Sequence, residues 1–295
     1  MPWSHAAASA AIPTLSNIDF TMKPYFLIPL SLLVSQLAFS WGGKGHEIVV
    51  AVAERHLTEN AKKNIAELIP YDLIQDASYM DKHRGDPDLA YAYNFHEQCI
   101  DLETLEYDPN AHVECGDLMR ALWLSDYNLG HYHQVSDSVA QLNLRMLLHF
   151  TGELHCPVHI GIPSIWQPRP PFRQDKGKWY WNGKNVNTFH SFIDRSPAYL
   201  FPDTDIHAIA ASIDKVSRAQ ARQFVKGDFV DWTNDAARSG YRIYDYFPPL
   251  WEIPDTPEDK VIPTEYLDQI RDIITLELLK GGYQLAFLLN KYFDK

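Results

Sequence analysis

The stretch DSVAQLNLRMLLHFTGELHCPVH, residues 137–159, constrains this chain more than any other. Val139, Leu142, Met146, His149 and Glu153 recur at steps of 3, 4, 3 and 4. That spacing predicts a helix over 137–154, capped by Ser136 or Asp137 and stopped near Pro157, with all five residues in one stripe. The first members are apolar, so the stripe faces a core and takes His149 and Glu153 inward with it. A buried imidazole and a buried carboxylate are costly unless something partners them. The fold must therefore bring other polar groups to the last two turns of this helix.

The rest of the chain supplies mostly further helices. GHEIVVAVAERHL places His46, Val50, Ala53 and Leu57 at helical steps. Thr58 is positioned to cap a second helix ending near Leu68, ahead of Pro70. A polar loop follows to about residue 114, and CGDLMRALWL opens another helix. Helical patterns resume near 188, over 205–225 and 228–246, and from Pro263 to Tyr292, where Gly281-Gly282 is a weak point. The one strong β signal is KWYW-NG-KNV, because Asn-Gly supplies the positive φ of a two-residue hairpin turn. With 295 residues, 46% of them apolar, there is material for one large core or two modest ones. The expectation is an all-α chain: a single helical domain with a small β-hairpin insertion.

Residues 22–40 read as a secretory signal peptide. A lysine precedes an apolar run from Tyr25 to Val34, and Ala38-Phe39-Ser40 has the small-x-small form of a cleavage site. The run is short for a membrane span; an amphipathic or buried helix is the alternative. Residues 1–21 read as a spurious or disordered leader, which leaves 41–295 as the functional domain, exported to a periplasm or beyond. In such an oxidising compartment Cys99 and Cys115, on either side of a polar loop, can pair, and Cys156 is left over.

Other ionisable pairs repeat the device of the central helix. NVNTFHSFID sets His190 and Asp194 four residues apart. DASYMDKHRGD offers Asp81 and YNFHEQCID offers His96. WGGKGHE offers His46 and, if cleavage follows Ser40, a free α-amine at Trp41 with a pKa near ~8. An i, i+4 His/acid pair converging on a divalent cation satisfies both of its members, and His159 follows on the exit loop of the central helix.

Taken together these motifs resemble the trinuclear-zinc single-strand nucleases and 3′-nucleotidases of fungi, plants and bacteria, which share a helical fold with bacterial zinc phospholipase C. The resemblance spans the chain from Trp41 onward. It rests on WG…GH, ASYMD, HFTGELHCPVH, NTFHSFID and the closing GYQLAFLLN. It implies three zinc ions: one on Asp81, His96, His149 and Glu153; a second on the Trp41 amine and carbonyl, His46 and Glu153; a third on His159, His190 and Asp194. Two bridged ions about 3.5–4 Å apart would hold a hydroxide as nucleophile, so no side chain is needed for that role. There are departures. The family usually has Asp where this chain has Glu153, and Gln where it has Cys156. Where an aromatic commonly follows the His96 position, this chain has Glu97.

The net charge is −12, which excludes binding of nucleic acid through protein cations alone; bound divalent cations would reverse the sign locally. Residues 163–187 interleave basic and aromatic residues, Lys178 and Trp179 among them, as a groove for single strands does. A hairpin packed on the helical body is the other reading of that segment. Arg84 is placed either to meet phosphate or to sit on the surface. The functional expectation is a secreted, monomeric zinc phosphodiesterase acting on single-stranded DNA, RNA or nucleotides, with no stable protein partner and no membrane span. A zinc phospholipase C and a non-catalytic protein are the alternatives.

Overall fold

The computed structural model describes residues 41–101, 103–110, 117–160, 178–246 and 259–295. The expected leader and signal peptide, Cys115, and residues 163–177 of the basic-aromatic segment lie outside the described residues.

The helices in chain order are α1 (Lys44–Glu54), α2 (Glu59–Leu68), α3 (Tyr79–Lys82), α4 (Leu118–Gly130), α5 (Asp137–Leu154), α6 (Phe189–Asp194), α7 (Ser196–Leu200), α8 (Ile206–Ile213), α9 (Arg218–Phe224), α10 (Phe229–Tyr241) and α11 (Tyr266–Phe293). Their starts are set by side chains that accept from exposed backbone N–H groups. Thr58, Ser136, Thr188 and Asp205 each cap in this way, and Ser217 and Asp228 form full capping boxes with Gln220 and Asp231. The helical region 205–225 is two helices, because the chain turns at Asp214 before Ser217 caps afresh. Asp214 has work there: its carboxylate accepts from Arg55 Nε and Tyr283 Oη, both at 2.8 Å.

Two helices form the centre. Ile48 to Ala53 of α1 are buried without a break, as in a helix that is enclosed rather than lying on a surface. Its main neighbour is α11, and α4 packs along α5. α11 runs through Gly281-Gly282 without a break. The missing Cβ atoms are what let it approach: one at Gly282 would lie 2.4 Å from Val52 Cγ1, and one at Gly281 would lie 3.1 Å from the His155 ring.

Sheet structure is slight. β1 (Ile100–Asp101) pairs antiparallel with β2 (Glu106–Tyr107) inside what sequence alone presents as a polar loop. β3 (Trp179–Trp181) and β4 (Lys184–Asn187) form the expected hairpin, with Asn182 and Gly183 at φ 49° and 69°. β5 (Lys260–Val261) adds a parallel strand beside β3 that the sequence pattern does not reveal.

Two expectations need correction. Val139, at the head of the predicted stripe, is exposed and Leu142 is half-buried; burial along α5 is continuous only from Met146 to Leu154. Trp179 was expected to contact substrate, but it is 1% exposed and packs on Phe189, so neither ring face is open to a base. It anchors the hairpin. Among the described residues, no helix is long and apolar enough to cross a membrane.

Candidate metal centre

The last two turns of α5 bring His149 and Glu153 to the middle of the molecule, both wholly buried. α1 adds His46, α3 adds Asp81, and the segment after residue 92 adds His96. Two glycines make this approach possible. A Cβ at Gly152 would lie 2.3 Å from His46 Nδ1, so the His46 ring occupies the space that a side chain would take. A Cβ at Gly45 would press on the Trp41 indole at 3.0 Å. Here the G of HFTGEL has a physical reason.

The histidines are oriented from behind. His149 Nδ1 donates to the Ala77 carbonyl at 3.0 Å, and His96 Nδ1 donates to the Tyr93 carbonyl at 3.2 Å. Each bond fixes the neutral tautomer whose Nε2 carries a lone pair. Those lone pairs face carboxylate oxygens. His149 Nε2 stands 3.0 Å from Glu153 Oε1 and 3.8 Å from Asp81 Oδ1. His96 Nε2 stands 3.5 Å from Asp81 Oδ1 and 4.0 Å from Glu153 Oε1. His46 Nε2 is 3.9 Å from Glu153 Oε1, and its ring stacks on that of His149 at 4.2 Å. Nε2 of His46, His96 and His149 and Oε1 of Glu153 are all buried without a hydrogen-bond partner. Acceptors crowded against acceptors in a dry interior repel one another unless a cation lies among them.

A divalent cation fits this donor set. Two ligands of a tetrahedral zinc, at about 2.0–2.2 Å from the ion, stand roughly 3.3–3.6 Å apart, within the range observed here. The buried rings respond unequally: burial would lower His149, but Asp81 and Glu153 outweigh it and raise it above the usual imidazole range, whereas His96 and His46 are lowered. Burial pulls His96 down to about 3, against the opposing charge of Glu153. Burial also drives His46 well below the usual imidazole range, helped by His149. Burial alone would raise Glu153, but His159 and His149 outweigh it and hold the carboxyl well below its usual range.

A second group adjoins the first. His159 Nδ1 donates to Glu153 Oε2 at 2.7 Å, so the one carboxylate faces both groups, one oxygen to each. His159 Nε2 lies 3.2 Å from Asp194 Oδ1 and 3.2 Å from His190 Nε2, and His190 Nε2 lies 3.6 Å from Asp194 Oδ2. Burial would lower His159, but Cys156, Glu153 and Asp194 raise it well above its usual range, so this position draws positive charge. The Gly42 N–H donates to the Asp194 carbonyl at 2.9 Å, which ties the segment carrying the buried Trp41 to the end of α6.

Asp81, His96, His149 and Glu153 thus form one group, with His46 at its edge, and Cys156, His159 and Asp194 form another, with His190 beside His159 and Asp194. Arg84 lies beside the first: its guanidinium stacks 4.4 Å over the Tyr93 ring and Nη2 donates to the carbonyl that also accepts from His96. Lys178 is exposed, and its backbone N–H bonds Asp259. Sequence reasoning misses the carbonyls of Ala77 and Tyr93, which carry no side-chain signal. It reads His155 as a core or supporting histidine with no metal; the buried ring bridges Glu277 Oε2 and Gln284 Oε1, both at 2.8 Å.

The model of the S1/P1 Nuclease family matches residues 41–294. The chain is 24% identical to Endonuclease 2 of Arabidopsis thaliana over 273 residues, which cover 86% of this chain and 90% of that protein. It is 22% identical to Endonuclease 1 of Arabidopsis thaliana over 295 residues, with 86% and 88% covered. A helical body, a buried histidine–carboxylate centre suited to metal and a match across nearly all the described chain lead to one conclusion: this chain belongs to the S1/P1 nuclease family, hydrolases that act on ester bonds.

Proposed function

We propose that this chain is an exported zinc-dependent phosphodiesterase that hydrolyses single-stranded DNA or RNA, and 3′-nucleotides, to 5′-phosphate products. The observation that carries this reading is the convergence of three buried imidazole nitrogens on one Glu153 oxygen, none with a hydrogen-bond partner. Asp81, His96, His149 and Glu153 would hold one zinc, the Trp41 amine with His46 and Glu153 a second, and His159, His190 and Asp194 a third. The Trp41 amine is available only once residues 22–40 have directed export and been removed.

Zinc, when bound, polarises a phosphoryl oxygen and makes water acidic enough to attack near neutral pH. The protein does the rest. The Ala77 and Tyr93 carbonyls keep the His149 and His96 rings turned inward. Burial keeps the centre dry, which strengthens every charge interaction with a phosphate. Arg84, fixed on Tyr93 beside His96, is placed to neutralise a flanking phosphate. Lys178 adds an exposed cation on the hairpin.

The test is turnover by protein beginning at Trp41 against single-stranded DNA, RNA, 3′-AMP and phosphatidylcholine, before and after chelation. Nucleic-acid hydrolysis that is lost on chelation and restored by zinc is expected. Hydrolysis of the lipid alone would overturn the reading in favour of a phospholipase.

A further inference from the structure

Cys156 sits two residues past the end of α5, between the two metal groups, and is free and fully buried. A free buried thiol ordinarily packs as a small apolar group. This one faces charge instead. Its S–H donates to Asp194 Oδ1 at 3.3 Å. Sγ, a ring nitrogen of His159 and an oxygen of Asp194 all fall within 4.8 Å of one another. His159 Nε2 stands 3.2 Å from Asp194 Oδ1, and His190 Nε2 stands 3.2 Å from that nitrogen and 3.6 Å from Asp194 Oδ2, so nitrogen and carboxylate donors gather beside the sulfur.

We propose that Cys156 is a ligand of the third metal position, adding a thiolate to His159 and Asp194 there. The inference rests on the reading that His159, His190 and Asp194 hold an ion. Ligation breaks the S–H bond and forms a sulfur–metal bond, and the proton leaves to solvent; nothing is oxidised or reduced. Sulfur biases the position toward zinc, cobalt or cadmium over magnesium, calcium or manganese.

The test is zinc-edge X-ray absorption on the wild-type protein beginning at Trp41, with electronic spectra of its cobalt(II) form. A sulfur neighbour at about 2.3 Å and a near-ultraviolet thiolate-to-cobalt charge-transfer band are expected. Cys156→Ser should abolish the band and weaken binding of one ion by about 10- to 100-fold, a loss no smaller than that seen for outer-shell changes. Bound metal with only nitrogen and oxygen neighbours would overturn the thiolate ligand and leave the zinc phosphodiesterase reading standing. No bound metal at all would overturn both. The wild-type spectra decide the matter even if the serine variant does not fold.

Discussion

Glu153 and Gly152 carry the most specific consequences among single residues. A methyl group at position 152 would occupy the space of His46 Nδ1. Gly152→Ala is therefore expected to displace His46 and weaken binding of one ion by at least about tenfold, with zinc retention after dialysis as the check. Unchanged retention would mean that His46 is not a ligand. Glu153 reaches His159 at 2.7 Å with one oxygen while the other faces His149. Glu153→Asp shortens that reach by a methylene and should weaken the third ion by about tenfold while sparing the first; equal loss of both, measured by calorimetric titration, would contradict separate use of the two oxygens. How far the sequence goes is visible in these residues. His149 and Glu153 are legible because a helical stripe turns them inward, and His190 with Asp194 for the same reason. The contact of Gly152 with His46 is not, because nothing local in either segment reports on the other. Trp179 misleads because a hairpin residue rich in aromatic neighbours reads alike whether its ring faces solvent or core.

Helices and their joints repeat the lesson. Capping residues reveal where α2, α5 and α6 begin. The continuity of α11 through Gly281-Gly282 is hidden, since helix propensity alone argues for a break there. The glycines are required by close approach to α1 and the end of α5. Gly282→Ala gains up to about 1 kcal/mol of helix propensity, yet its Cβ would meet Val52 at 2.4 Å. Overpacking of that kind costs about 1–3 kcal/mol, so net destabilisation is expected in thermal melting, and a raised Tm would refute the packing argument. α11 is also joined to α5 by charge: Glu277 accepts from His155 and from Lys280, and Lys280 also pairs with Asp235. Burial would raise the Glu277 carboxyl, but the His155 hydrogen bond and Lys280 outweigh it, and the folded pKa lies below 4.5. A carboxyl lowered on folding stabilises above its unfolded pKa, and that stability is lost as pH falls below about 4.3. Glu277→Gln should cost about 3–5 kcal/mol at neutral pH, as breaking a buried pair does, and should flatten the loss of stability in acid. Denaturant titrations across pH would show a parallel acid loss in both proteins if the carboxylate contributed nothing.

The molecule taken whole places its chemistry at the meeting of α1, α3, α5 and α6, so metal and fold are linked. A chain of net charge −12 that is to act on phosphate needs a local reversal of sign, and its buried histidine–carboxylate groups are where cations would supply it. The mostly helical architecture is readable from periodicity and caps. The strand pairing of β5 with β3 and the way Glu153 faces both groups depend on distant segments meeting, which periodicity does not encode. The account stands or falls on the number of ions held. Elemental analysis of dialysed protein beginning at Trp41 should give three zinc ions per chain, and protein with any residue left before Trp41 should give one fewer. Fewer than two per chain in the protein that begins at Trp41 would contradict the account.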